Sequence, residues 1–71
     1  MRQVVEHLGV MLEVEYEPSE ELGPKIDSVR VLDGQYKATG PNILGLLDAL
    51  FILTSPTEGE QVLNQISREL V

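Results

Sequence analysis

The chain has 71 residues and a formal net charge of −7, from 12 acidic and 5 basic side chains. A chain of this length forms one domain, residues 1–71, and because it has no cysteine and only one histidine, disulfides and zinc sites of the usual kinds are excluded. The acidity also disfavours direct binding to nucleic acids and to anionic membranes, since both would repel the protein.

The sequence shows neither a predicted signal peptide nor a predicted membrane-spanning segment. The first residues lack the basic stretch followed by an apolar run that a signal peptide requires. The most apolar stretch, "NILGLLDALFIL" at 42–53, is too short to span a bilayer and contains Asp48. We therefore expect a cytoplasmic protein that makes no membrane contact.

The first predicted strand covers residues 10–16, where apolar and polar side chains alternate. Every second residue from Val10 to Tyr16 would face one side of a sheet. Residues 2–8 before it are ambiguous: they fit either an extension of this strand through a bulge at Gly9 or one helical turn that ends there. The β-branched valines of this region favour the strand.

A loop is predicted at 17–25, because prolines, a glycine and a serine leave few donors for a strand ladder. It can hold a short turn from Ser19 to Leu22. Beyond it, Asp33-Gly34 between strand-like residues predicts a two-residue hairpin turn with both residues at positive φ.

This hairpin turn sets the register of two further strands. One face of these two strands would carry apolar pairs. The other face would carry two positive charges opposite each other, which repel unless acidic residues of the first strand lie beside them. The predicted fold class is therefore α+β, with a three-stranded antiparallel meander and two C-terminal helices packed on one face. The predicted pairs are Val31 with Tyr36, Arg30 with Lys37, and Val29 with Ala38.

The two helices follow the sheet in the chain. The segment 42–53 is apolar around roughly half of a helical wheel, with Asn42 as its N-terminal cap and Ile43 as its first residue. The motif "SPTE" just beyond it is a capping box with proline at the first helical position. It predicts a second, amphipathic helix from Pro56 to Leu70.

The acidic residues are the first candidate for a functional site. They would form either a docking face for a basic protein partner or a solvated surface that keeps a small protein soluble. They lack the spacing and glycine turn of a calcium loop, so no metal site is predicted. No catalytic constellation and no cofactor motif is present, so we expect no cofactor. The candidate docking residues are Glu13, Glu15, Glu17, Glu20 and Glu21.

Self-association is the second expectation. A short chain without disulfides or metals often gains stability from a second copy, and open sheet edges invite pairing. The segment 42–53 is also apolar around more of its circumference than one sheet can cover. We therefore expect a homodimer, with Ala49, Phe51 and Ile52 as contact residues.

These features favour a non-enzymatic protein–protein interaction module that acts as a self-associating regulatory or accessory subunit. The alternative is an acidic inhibitor, of the kind that phages encode, that occupies the basic nucleic-acid-binding cleft of a target protein. Salt dependence of binding separates the two, because a charge mimic loses affinity steeply as salt rises.

Overall fold

The computed structural model describes residues 1–70, in which four strands precede two helices. The strands form one antiparallel sheet in the order β1-β2-β3-β4. The predicted α+β class and the meander are thus confirmed, with four strands instead of three. The elements are β1 (Arg2–His7), β2 (Val10–Glu17), β3 (Lys25–Val31), β4 (Lys37–Thr39), α1 (Asn42–Phe51) and α2 (Pro56–Glu69).

The additional strand arises because the chain reverses at Leu8-Gly9. These two residues have φ angles of 50° and 82°, and His7 lies opposite Val10 on either side of them. Positive φ at both central residues is the geometry of a two-residue hairpin whose twist matches the flanking strands. The ambiguous segment 2–8 therefore contains a strand, and Gly9 belongs to a turn instead of the predicted bulge.

The second hairpin has the predicted register but a different turn. Val29 lies opposite Ala38, as expected. Neither Asp33 nor Gly34 has a positive φ, so the predicted two-residue turn is wrong. The chain reverses over a longer loop, in which the Gly34 N–H donates to the Val31 carbonyl oxygen at 3.4 Å. A longer loop reaches the same pairing without left-handed backbone.

The core lies between one face of the sheet and the two helices. α1 lies against β4 and α2 lies against β1, while the helices also contact each other. Tyr36 was expected on this face, but it is 67% exposed, since it lies just before β4 begins and its ring packs over Gly34. The buried apolar residues are Val5, Leu12, Val14, Tyr16, Val29, Val31, Ala38, Ile43, Leu47, Val62 and Ile66.

The predicted start of α2 is confirmed. The Ser55 hydroxyl oxygen accepts a hydrogen bond from the Glu58 N–H at 3.4 Å, and Pro56 occupies the first helical position. The Glu58 carboxylate accepts from the Thr54 N–H at 2.9 Å and from the Thr54 hydroxyl at 3.0 Å. These bonds stabilise the ionised carboxylate and lower the pKa of Glu58, the backbone bond most.

α1 differs from the prediction at both ends. It begins at Asn42, the capping position is Pro41, and no side chain caps the helix, so the expected Asn42 cap is wrong. The helix ends at Phe51, because Ile52 has left-handed backbone. Neither helix of the described range has the length and apolar content that crossing a membrane requires.

Candidate functional site

Two of the predicted docking glutamates take part in ion pairs. Glu13 and Glu15 alternate with the buried residues of β2, so they lie on the sheet face opposite the helices. Because β2 lies between β1 and β3, basic residues of both neighbouring strands lie beside them. Glu13 lies 3.7 Å from Arg2 and 3.5 Å from Arg30, and Glu15 lies 3.1 Å from Arg2. The arginines therefore balance much of the charge on Glu13 and Glu15 within the sheet. The sequence predicted that acidic residues of the first strand lie beside the basic residues of the hairpin, and Glu13 lies beside Arg30 in this way.

The other three glutamates lie elsewhere. Glu17 lies opposite Lys25 at the end of β2. Glu20 and Glu21 are exposed in the predicted short turn, in which the Leu22 N–H donates to the Ser19 hydroxyl oxygen at 3.2 Å. The set is thus divided among an ion-paired sheet face, the end of β2 and an exposed loop.

The residues predicted for self-association lie on and after the second half of α1. Ala49 is exposed on this helix. Phe51 is partly buried against the core, and Ile52, which follows it, is 85% exposed. Phe51 and Ile52 therefore mark one end of the molecule.

That end gathers further apolar side chains that sequence reasoning missed. His7 contacts Phe51 edge to face, with ring centroids 5.1 Å apart, so the residues that follow them lie at the same end. Leu8 follows His7 and is 78% exposed. Met11 in β2 and Leu32, directly after β3, are each 40% exposed and adjacent, since the Leu32 N–H donates to the Met11 carbonyl oxygen at 3.1 Å. We name Leu8, Met11, Leu32, Phe51 and Ile52 the apolar end.

Leu8 and Ile52 share an unusual backbone geometry. Their φ angles are 50° and 51°, and within residues 1–70 they are the non-glycine residues with positive φ. Left-handed backbone costs an L-residue about 1–2 kcal/mol, and β-branched side chains are especially disfavoured there. Asparagine or glycine is the usual residue at these positions of a tight hairpin and of a helix C-terminus. Folding stability alone thus does not account for either residue.

One signal in the sequence pointed to Leu8. Gly9 stands between two runs of strand-forming residues and fits the second position of a tight turn. Leucine is rare at the first position of such a turn, so Leu8 makes the sequence pattern atypical of a turn.

The described residues offer mainly apolar contact at this end. Within 1–70, no three acidic or histidine side chains converge on a possible metal site, and every buried side-chain nitrogen or oxygen has a hydrogen-bond partner. Comparison of the chain with protein-family models, curated protein sequences and solved structures found no match.

Proposed function

We propose that this chain is a non-enzymatic protein–protein interaction module that acts as a self-associating regulatory or accessory subunit, and that the apolar end is the surface on which it binds another protein. The observation that carries the proposal is the coincidence at Leu8 and Ile52. Both side chains are strongly exposed, both occupy left-handed backbone, and both lie at the same end.

Exposure of an apolar side chain is ordinary by itself, but its combination with left-handed backbone favours a binding role. Single exposed apolar residues are common on protein surfaces. Left-handed backbone at a bulky residue lowers the stability of the fold, and such strain concentrates at functional sites. An exposed apolar side chain kept on strained backbone gains little from folding, so its benefit is expected in a complex, where its apolar surface becomes buried.

The acidic-inhibitor alternative has less support. Its charged surface would depend on Glu17, Glu20 and Glu21, because Glu13 and Glu15 lie within 4 Å of arginines. One glutamate at a strand end and two in a loop are equally consistent with a solubilising role.

The experiment measures folding stability and partner retention on the same variants. Leu8→Asn and Ile52→Gly replace a strained residue by one that suits left-handed backbone, so both should raise the denaturation midpoint. Both substitutions also remove an apolar contact. When the variants are immobilised, they should therefore fail to retain proteins that the immobilised wild-type chain retains from an extract of its native host. Retained proteins are identified by quantitative mass spectrometry.

The matched control is Leu22→Asn. Leu22 is 92% exposed but lies in the loop after β2, at the opposite end of that strand from Leu8. This variant should retain the same proteins as the wild type. The proposal fails if the wild type retains no specific protein, or if the three variants retain identical sets.

A further inference from the structure

We propose that a second copy of this chain adds along the open edge of β1, antiparallel and with Val4 opposite Val4 of the copy, so that the two sheets become one. This inference rests on the self-association in the proposed function and names its surface. Each chain contributes four strands, and the joined sheet would have twice that number.

The hydrogen bonding of β1 leaves half of its backbone groups facing outward. Met1 and Tyr16 exchange both backbone bonds, at 2.8 Å and 2.6 Å. Hydrogen-bonded pairs alternate along an antiparallel ladder, and the β1–β2 pairing runs without interruption from Arg2 to His7. The N–H and C=O groups of the even-numbered residues, Arg2, Val4 and Glu6, are therefore directed away from β2.

The edge of β1 is long and accessible. No strand of the described range pairs with it, since β1 stands at the end of the strand order. An open groove runs along it, lined by residues 3–6 and by Glu69 at the end of α2. The opposite edge, β4, has only three residues and begins with a lysine, which are features that protect an edge from pairing.

Charge complementarity selects the register. With Val4 opposite its copy, Arg2 lies opposite Glu6 of the second copy, and the reverse pair forms on the other side of the twofold axis. The three outward-facing residues then meet each other in hydrogen-bonded positions, giving about six backbone bonds. The Arg2 side chain is 64% exposed despite its bonds to Glu13 and Glu15. Glu6 is exposed and makes no ion pair within residues 1–70.

This arrangement keeps the apolar ends free. Leu8 lies four residues beyond Val4, so the two copies of Leu8 would stand about 26 Å apart at opposite sides of the axis. A dimer of this kind presents two separate apolar ends, one for each bound protein.

The first test removes one outward donor. Val4→Pro deletes the Val4 N–H, which makes no bond to β2, and proline is tolerated on a strand edge that faces solvent. Sedimentation equilibrium of the full chain should give twice the monomer mass of 7.9 kDa for the wild type. The dissociation constant of the variant dimer should be at least roughly tenfold higher than that of the wild type, and circular dichroism should confirm that the variant is folded.

The second test uses charge and does not depend on proline. Arg2→Glu places like charges opposite each other in its own dimer, and so does Glu6→Arg, so each variant alone should dimerise roughly tenfold more weakly. An equimolar mixture of the two variants restores both opposite-charge pairs, so it should form a heterodimer of nearly wild-type affinity.

The outcomes separate this inference from the proposed function. If Ile52→Gly dissociates the dimer while the β1 variants do not, the copies meet at the apolar end, so the edge inference is wrong and self-association stands. If the wild type is a monomer at all concentrations, both the edge pairing and self-association are wrong, whereas partner binding is still measured by the retention experiment. If the mixed charge variants stay monomeric, the proposed register is wrong.

Discussion

His7 and Phe51 meet edge to face, with ring centroids 5.1 Å apart and ring planes at 86°. His7 ends β1 and Phe51 ends α1, so this contact joins the last residues of two elements that are far apart in the chain. The next residue after each of them, Leu8 and Ile52, turns through left-handed backbone and exposes an apolar side chain. The contact thereby positions the proposed binding surface.

A double-mutant cycle measures this contact. Edge-to-face aromatic pairs are worth about 0.5–1.5 kcal/mol beyond their buried area. We expect His7→Leu and Phe51→Leu to show a coupling energy of this size in chemical denaturation. Strictly additive effects would mean that the rings do not stabilise each other.

Two glycines in turns are expected to respond differently to the same substitution. Gly9 has φ 82°, a conformation that costs an L-residue about 1–2 kcal/mol, so Gly9→Ala should destabilise by that amount. Gly34 lacks positive φ, and a Cβ there would meet only the exposed Tyr36 ring, 3.0 Å away, which can move. Gly34→Ala should therefore cost less than half as much, measured as the urea midpoint. A reversed order would contradict the assignment of the two turns.

Relief of backbone strain predicts stabilising substitutions. Leu8→Asn creates the Asn-Gly pair favoured in two-residue hairpins, and Ile52→Gly places glycine at a left-handed helix end. The relieved strain, about 1–2 kcal/mol, exceeds the entropy that a glycine adds to the unfolded chain, so we expect each to raise the free energy of unfolding by about 0.5–1 kcal/mol. A decrease for both variants would show that Leu8 and Ile52 contribute more to the fold than their exposure indicates.

The cap of α2 is tested by a serine pair. Ser55→Ala removes the acceptor for the Glu58 N–H and should cost about 1 kcal/mol. The control is Ser67→Ala in the same helix, where the hydroxyl only donates to the Leu63 carbonyl oxygen one turn earlier. That change should stay within about 0.5 kcal/mol. Equal losses from the two variants would argue against a specific role of the cap.

The lowered pKa of Glu58 predicts that the folding stability depends on pH. Its pKa is lowered by the backbone and side-chain hydrogen bonds from Thr54. Because the folded-state pKa lies below the unfolded value, the stabilisation is present above the ordinary pKa of a glutamate and disappears as the pH falls through the folded-state pKa. Glu58→Gln should therefore be less stable than the wild type at neutral pH, and the difference should shrink in acid. Thermal unfolding across this pH range measures it, and a constant difference would contradict the assignment.

Local patterns were enough to predict several elements. The alternation along β2 and the capping box at Ser55 follow from side chains that are near in sequence. Their physics is local: strand side chains alternate with period two, and a serine hydroxyl satisfies a helix-end donor three residues away. The register of Val29 with Ala38 was right although the turn from which it was predicted is wrong.

The functional surface depended on contacts between distant parts of the chain. The sequence by itself determined the α+β class, the two helices and the acidic surface, because amphipathic periodicity and charge reside in the residues themselves. Only the tertiary structure decided that Leu8 and Ile52 adopt left-handed backbone at one end and that Arg2 lies beside Glu13 and Glu15. Strand pairing and core packing outweigh the local preferences of leucine and isoleucine. Gly9 is a local sign of the turn at Leu8, whereas no local pattern marks Ile52.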